Sequence, residues 1–133
     1  MDAETAQLFP NAFAGSKSGP IPRGWQLTTM GDVTSKTGSG STPRGGDTAY
    51  IEEGVALIRS QNVYDSKFIW DGLVRITDDE AERLRDVTVQ HDDVLVLLNI
   101  TGASILRTCV VDPAVLPARV NQHVAIVRPG DGW

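Results

Sequence analysis

The apolar residues of this chain fall into short runs, and each run is bounded by residues that favour turns. The clearest such segments are residues 55–58, 94–100, which contains one asparagine, and 120–127, which contains Asn-Gln-His after its first valine. They lie close to glycine, proline or aspartate. Apolar runs of this length between turn signals are typical of buried strands rather than of helices. The run at 94–100 predicts a strand buried on both faces, because its apolar residues do not alternate with polar ones.

One segment of the sequence predicts a helix. Thr77 is followed three residues later by Glu80, which is the pattern of a capping box at a helix start. The apolar residues that follow at helical spacing and can share one buried face are Ala81, Leu84 and Val87. Residues 77–98 carry seven acidic and two basic side chains, which we interpret as a solvated helix with negative charge in its first turn. A metal-binding carboxylate cluster is the alternative, but the adjacent Asp78 and Asp79 do not face each other on a helix.

The remaining elements are predicted from shorter signals. They are a first strand at residues 26–30, a helical turn or loop at 31–33, a loop at 37–47, an extended stretch at 67–76, a turn at 91–93 and a return strand at 105–111. Strands therefore dominate, and the sequence predicts an α+β fold with a mostly antiparallel β-sheet and one or two short helices. Residues 1–22 are predicted to be a leader or linker because glycine, serine and proline are dense at 15–22, which leaves residues 23–133 as the domain.

The net charge of −5 excludes a uniformly basic nucleic-acid binder. Residues 77–98 hold essentially all of the excess acid, so a local DNA-facing surface stays possible elsewhere. A single cysteine excludes an internal disulfide and a cysteine-rich zinc site. No apolar run is long enough to span a bilayer, and the residues after Met1 lack the pattern of a signal peptide, so we expect a cytoplasmic protein.

No constellation of residues in the sequence predicts catalysis. His91 lies in an acidic turn, where a solvated histidine is expected, and His123 is predicted within a strand, where a structural role is favoured over a general base. Cys109 is predicted to be a small core residue. The glycine-rich residues 38–46 lack the spacing and the lysine of a phosphate-binding loop. We therefore predict no catalytic residue, no cofactor and no metal site.

Two polar clusters are candidates for contact with DNA. The first is the glycine-rich loop, whose small side chains allow close approach to a phosphate backbone. The second follows the predicted strand at 55–58, where arginine, glutamine and asparagine can recognise base edges in the major groove. The predicted contact residues are Ser39, Ser41, Thr42, Arg44, Arg59, Gln61, Asn62 and Lys67. A solvated surface without DNA contact is the alternative interpretation of both clusters.

Several segments, in order along the chain, resemble the target-recognition domain of type I restriction–modification specificity subunits. They are the paired signature Asn-Ile-Thr-Gly-Ala-Ser-Ile at 99–105 and Val-Asn-Gln-His-Val-Ala-Ile at 120–126, the opening Ile-Pro-Arg-Gly-Trp at 21–25 with Gly-Asp-Val at 31–33, Ser-Thr-Pro at 41–43, and Ile-Arg-Ser-Gln-Asn-Val at 58–63. The sequence departs from the family pattern at Leu106, where the family usually has glycine, and at residues 91–93, where His-Asp-Asp replaces a Pro-Gly-Asp turn.

The resemblance implies a DNA sequence-recognition subunit without a catalytic centre of its own. Such a subunit binds double-stranded DNA and confers target specificity on modification (methyltransferase) and restriction subunits, and a second copy or half-subunit is a further implied partner. The family-motif residues, which we expect to be mainly structural, are Asn99, Thr101, Gly102, Ser104, Asn121, Gln122 and His123. The family also has a long assembly helix, which this sequence lacks, so we expect residues 23–133 to be an incomplete recognition domain.

The charge of the chain is compatible with this resemblance, because partner subunits supply much of the contact with the DNA backbone in the family. We therefore expect the isolated chain to bind DNA weakly and with a shallow salt dependence. Two other functions stay open. One is a non-catalytic protein-interaction module that retains the fold without specific DNA binding, and the other is a hydrolase that uses His123.

Overall fold

The computed structural model describes residues 13–98 and 107–132. The strands are β1 (Phe13–Ala14), β2 (Ile21–Pro22), β3 (Thr34–Ser39), β4 (Val55–Ile58), β5 (Val63–Tyr64), β6 (Lys67–Phe68), β7 (Val74–Ile76), β8 (Val94–Leu97), β9 (Thr108–Val110), β10 (Ala118–Val120) and β11 (Val124–Pro129). The helices are α1 (Met30–Val33) and α2 (Asp78–Arg83). The chain divides into two compact units between Asp32 and Val33. The prediction of an α+β fold with mostly antiparallel sheets and short helices is confirmed.

The first unit contains the antiparallel pair of β1 and β2. The strand predicted at residues 26–30 is wrong, because no ladder forms there and α1 begins at Met30. The Thr29 hydroxyl accepts a hydrogen bond from the Asp32 amide at 3.2 Å, which caps this short helix. The helical turn predicted at residues 31–33 is confirmed.

The second unit contains a four-stranded antiparallel sheet with the strand order β3-β11-β8-β9. Burial alternates along β8, where Leu95 and Leu97 are buried and Val94 and Val96 are half-buried. The prediction of a strand buried on both faces is therefore wrong, because an antiparallel sheet packs mainly one face against the core. The return strand is shorter than predicted and is β9, with residues 99–106 outside the described part of the chain.

The same sheet shortens the loop that the sequence predicts at residues 37–47. Residues 37–39 belong to β3, where Thr37 is paired with Val127 and Ser39 with Ala125 of β11. Pairing with β11 provides the hydrogen bonds that the glycine-rich composition did not indicate. The loop begins at Gly40, directly after the strand.

A three-stranded sheet of order β10-β4-β7 forms the buried centre of the second unit, with β4 parallel to β10 and antiparallel to β7. The buried strand predicted at 55–58 is confirmed as β4, whose residues Ala56, Leu57 and Ile58 are 0% exposed. The single strand predicted at 120–127 is wrong, because a turn divides it into β10 and β11, which lie in different sheets.

The extended stretch predicted at residues 67–76 also consists of two strands. The first strand, β6, pairs with β5, and the second strand, β7, pairs with β4. The turn between them contains Gly72 at a φ of 74°, in the left-handed region that glycine adopts without strain.

Helix α2 forms where the capping pattern predicts it. The Thr77 hydroxyl accepts a hydrogen bond from the Glu80 amide at 3.2 Å, and the predicted face of Ala81, Leu84 and Val87 is buried. Three carboxylates lie in the first turn of the helix. The acidic segment thus has a structural explanation in favourable interaction with the helix dipole.

The turn predicted at residues 91–93 is confirmed, and it holds a buried ion pair. Asp92 has a φ of 69°, which places it in the left-handed region, where aspartate occurs more often than most residues other than glycine. Asp93 is 0% exposed, and its two oxygens accept hydrogen bonds from Arg128 Nε at 2.7 Å and Arg128 Nη2 at 2.8 Å. The Asp93 carboxylate also accepts from the backbone amide of Gln90 at 2.7 Å. Because Arg128 lies on β11, the Asp93 side chain links this turn to that strand.

Candidate functional site

Three chain segments meet at the carboxyl ends of β4 and β10. These strands are parallel and Val120 is paired with Ile58, so the residues that follow each strand emerge side by side. The backbone amide of Asn121 donates to the Ile58 carbonyl at 3.1 Å, and the Gly40 amide donates to the backbone carbonyl of Asn121 at 3.0 Å. The second contact brings the loop after β3 to the same edge of the sheet.

An open polar cleft of about 270 Å³ lies at this edge, and we name it the β4–β10 cleft. It brings together three of the predicted DNA-contact residues with three of the family-motif residues, namely Thr42, Arg59, Gln61, Asn121, Gln122 and His123. Of the four further lining residues, Pro43, Asp47 and Ser60 lie within the two predicted polar segments, and Tyr50 lies outside both. Tyr50 gives no sequence signal of a shared site, because only the fold brings it to the cleft.

The turn Ser60–Asn62, a single turn of 3₁₀ helix, forms one wall of the cleft. The Arg59 amide donates to Asn62 Oδ1 at 2.9 Å, and Asn62 Nδ2 donates to the Ile69 carbonyl at 2.8 Å. Asn62 is 0% exposed, so its side chain is not available at the surface. We therefore remove Asn62 from the candidate contacts and assign it to holding the turn.

Arg59 is held in place at the cleft by two groups. Its Nη2 donates to the Gly72 carbonyl at 2.6 Å, and its guanidinium carbon lies 5.2 Å from the centroid of the Tyr50 ring. Arg59 Nε is buried and makes no hydrogen bond to any group that the structure describes. No carboxylate of the described residues forms an ion pair with Arg59. Its charge is therefore positioned but not neutralised by a neighbouring side chain.

The turn between β10 and β11 forms the opposite wall. Asn121 is 8% exposed, and its Oδ1 accepts a hydrogen bond from the His123 amide at 3.0 Å, which is the geometry of an Asx turn. Gln122 and His123 are exposed, and Gln122 Nε2 lies 3.3 Å from His123 Nε2. The prediction that His123 lies within a strand is wrong, because Asn121 holds the chain in a turn at this point.

The other predicted contact residues do not line the cleft. Ser39 ends β3, Ser41 is exposed in the following loop, and Lys67 is exposed on β6 opposite Tyr64. The Arg44 amide donates to Glu80 Oε2 at 3.4 Å, which ties the loop to α2. The family-motif residues Asn99, Thr101, Gly102 and Ser104 lie outside the described residues.

Two residues considered for catalysis have structural or solvated settings. Cys109 is 3% exposed, and burial raises the pKa of its thiol. His91 is exposed beside Asp92, with 3.0 Å between Nδ1 and Oδ1. In the described ranges, no group of three histidine, cysteine, aspartate or glutamate side chains is placed to hold a metal ion. The cleft thus offers hydrogen-bond donors, acceptors and one guanidinium.

Neither a scan against protein-family models nor a search among curated proteins gives a match. Among the described residues, the helices are too short or too polar for a membrane crossing.

Proposed function

We propose that this chain is a DNA sequence-recognition module of a type I restriction–modification specificity subunit. The observation that carries the proposal is the convergence of two segments on one cleft. Residues 58–63 and 120–126, which both resemble family motifs, follow the paired strands β4 and β10 and form the two walls of the β4–β10 cleft. In this proposal catalysis resides in the modification and restriction subunits, and the chain supplies the choice of target.

The exposed side chains of the cleft match the chemistry of base edges. Gln61 and Gln122 each present a planar amide that both donates and accepts, and such amides form paired hydrogen bonds with base edges in the major groove. His123 adds a ring nitrogen beside Gln122. These groups lie on turns held by a buried sheet, and recognition residues are commonly placed on loops supported by a rigid frame.

The charge of the cleft agrees with weak binding by the isolated chain. Arg59 is the only guanidinium among its lining residues, and Asp47 is the only carboxylate. Few phosphate contacts give a shallow dependence of affinity on salt, because each contact releases about one counterion. In a complete assembly, partner subunits would supply the remaining contacts with the DNA backbone.

A selection experiment tests the proposal on the whole chain. The purified protein is incubated with a pool of random-sequence duplexes at low salt, and the bound fraction is sequenced. We expect an enriched motif, and we expect the double variant Gln61→Ala/Gln122→Ala to lose the preference at some of its positions. Gln90→Ala is the matched control, since Gln90 is exposed and does not line the cleft.

Absence of an enriched motif, or a motif that the double variant leaves unchanged, would contradict the proposal. Fluorescence anisotropy at several salt concentrations gives an independent measurement. Tight, sequence-independent binding with a steep salt slope would also contradict it. Co-purification with a modification subunit without any sequence selection would instead favour a protein-interaction module.

A further inference from the structure

We infer that the β4–β10 cleft contains a position for one phosphodiester group, with Arg59 as its cation. This position deepens the proposed function, on which it rests for the identity of the ligand as a DNA backbone. The sequence suggests that Arg59 recognises a base edge, whereas the structure favours a phosphate contact. The distinction matters because a phosphate contact sets register and affinity, while a base contact sets specificity.

The first support is the state of the Arg59 guanidinium. The Gly72 carbonyl and the Tyr50 ring fix its position before any ligand binds, so little side-chain freedom is lost on binding. One nitrogen of its planar fork, Nη2, is already bonded at 2.6 Å to Gly72. Burial closes the Nε edge of the guanidinium, and one Nη2 hydrogen is committed to Gly72, so the donors left for a ligand are Nη1 and the second Nη2 hydrogen. A phosphate oxygen can accept from either of these donors without the fixed in-plane geometry that a guanine edge requires.

The second support is the unsatisfied capacity of Arg59. The bond from Nη2 to the Gly72 carbonyl is the only hydrogen bond that its guanidinium makes to the described residues. No carboxylate of the described residues pairs with its charge. An anion at the cleft would neutralise this charge by charge-assisted hydrogen bonding.

The third support is the kind of neighbour that lines the cleft. Thr42 and Ser60 contribute hydroxyl groups, and hydroxyl groups commonly donate to phosphate oxygens. Asp47 contributes the only carboxylate of the lining. The carboxylate disfavours a doubly charged phosphate, so the singly charged diester of a nucleic-acid backbone fits better than a free phosphate dianion.

Titration of the isotope-labelled full chain, followed by NMR, tests the inference. The probes are dimethyl phosphate, inorganic phosphate and a duplex of random sequence. We expect dimethyl phosphate to shift the amide signals of Ser60, Gln61 and Gln122 and to bind more tightly than inorganic phosphate does. Arg59→Met should weaken dimethyl phosphate binding by about tenfold or more, because the only guanidinium of the cleft is lost.

Arg85→Met is the matched control, because it removes the same charge from an exposed side chain outside the cleft. Signal shifts spread evenly over the surface, or binding that persists in Arg59→Met, would overturn the inference. If Arg59→Met does not fold, Arg59→Gln and Ser60→Ala decide instead, since the first removes the positive charge and keeps a polar side chain, and the second removes a hydroxyl donor. In either variant, unchanged dimethyl phosphate binding would also count against the phosphate position.

The phosphate position and the proposed function can fail separately. Localised diester binding without sequence selection would leave the phosphate position intact and contradict the recognition function. Sequence selection without diester binding at Arg59 would leave the recognition function intact and contradict the phosphate position.

Discussion

Arg59 and Arg128 are both half-buried and both donate to a backbone carbonyl, yet they have different surroundings. Arg128 faces the buried Asp93, forms two charge-assisted hydrogen bonds with it, and has its pKa raised by that hydrogen bonding. Arg59 has a carbonyl and an aromatic ring but no carboxylate. An arginine whose charge is paired with a buried carboxylate therefore stabilises the fold, whereas an arginine without such a partner keeps its charge available to a ligand.

The largest expected effect lies on the Arg128 side of this comparison. Asp93→Asn removes the negative charge and leaves a guanidinium without its buried partner, so we expect a loss of about 3–5 kcal/mol in the free energy of unfolding. Urea denaturation measures this loss. Asp92→Asn is the control, because Asp92 is exposed and asparagine tolerates its positive φ. A loss below about 1 kcal/mol for Asp93→Asn would show that the pair does not stabilise the fold.

The next largest effect is expected where the loop after β3 passes close to β10. A Cβ on Gly40 would lie 1.8 Å from the Val120 carbonyl oxygen, so Gly40→Ala must displace backbone. We expect a loss of about 3 kcal/mol in stability from this overpacking, together with impaired DNA selection. Gly38→Ala is the control, since the nearest atom to its added Cβ is 3.9 Å away. Equal stability of the two variants would mean that the loop after β3 is not tied to β10.

A smaller loss of stability is expected in the turn Ser60–Asn62, and it should differ between its buried and its exposed side chain. Asn62→Ala leaves the Arg59 amide and the Ile69 carbonyl without their partner, which predicts a loss of about 2 kcal/mol in stability. Gln61→Ala, one residue earlier and exposed, should cost less than about 0.5 kcal/mol. Thermal denaturation of the two variants compares them directly. A reversed order would contradict the assignment of Asn62 to the fold.

The sequence predicts the elements whose pattern is complete within a short stretch of residues. The apolar run of β4 and the Thr77 cap of α2 are both visible within a few residues of sequence, and both are confirmed. The turn at Asn121 escapes prediction because apolar residues on both sides continue one strand pattern, whereas in the structure the Asn121 side chain accepts from the His123 backbone amide and holds the turn. The pairing of Asp93 with Arg128 joins residues far apart in sequence, so no local pattern indicates it.

The smallest effect on stability is expected on the Arg59 side of the comparison. Arg59→Met loses a bond to a carbonyl but also removes a buried donor without a partner, so we expect a stability change of at most about 1 kcal/mol. Its effect on DNA should be uniform, with lower affinity for every sequence and a salt slope reduced by about one phosphate. Gln122→Ala should instead change the selected motif and leave the slope unchanged. Anisotropy titrations on two duplexes, one selected and one random, distinguish these outcomes. If Arg59→Met altered the motif and kept the slope, Arg59 would be a base contact, and the difference between the two arginines would lie in specificity rather than in charge.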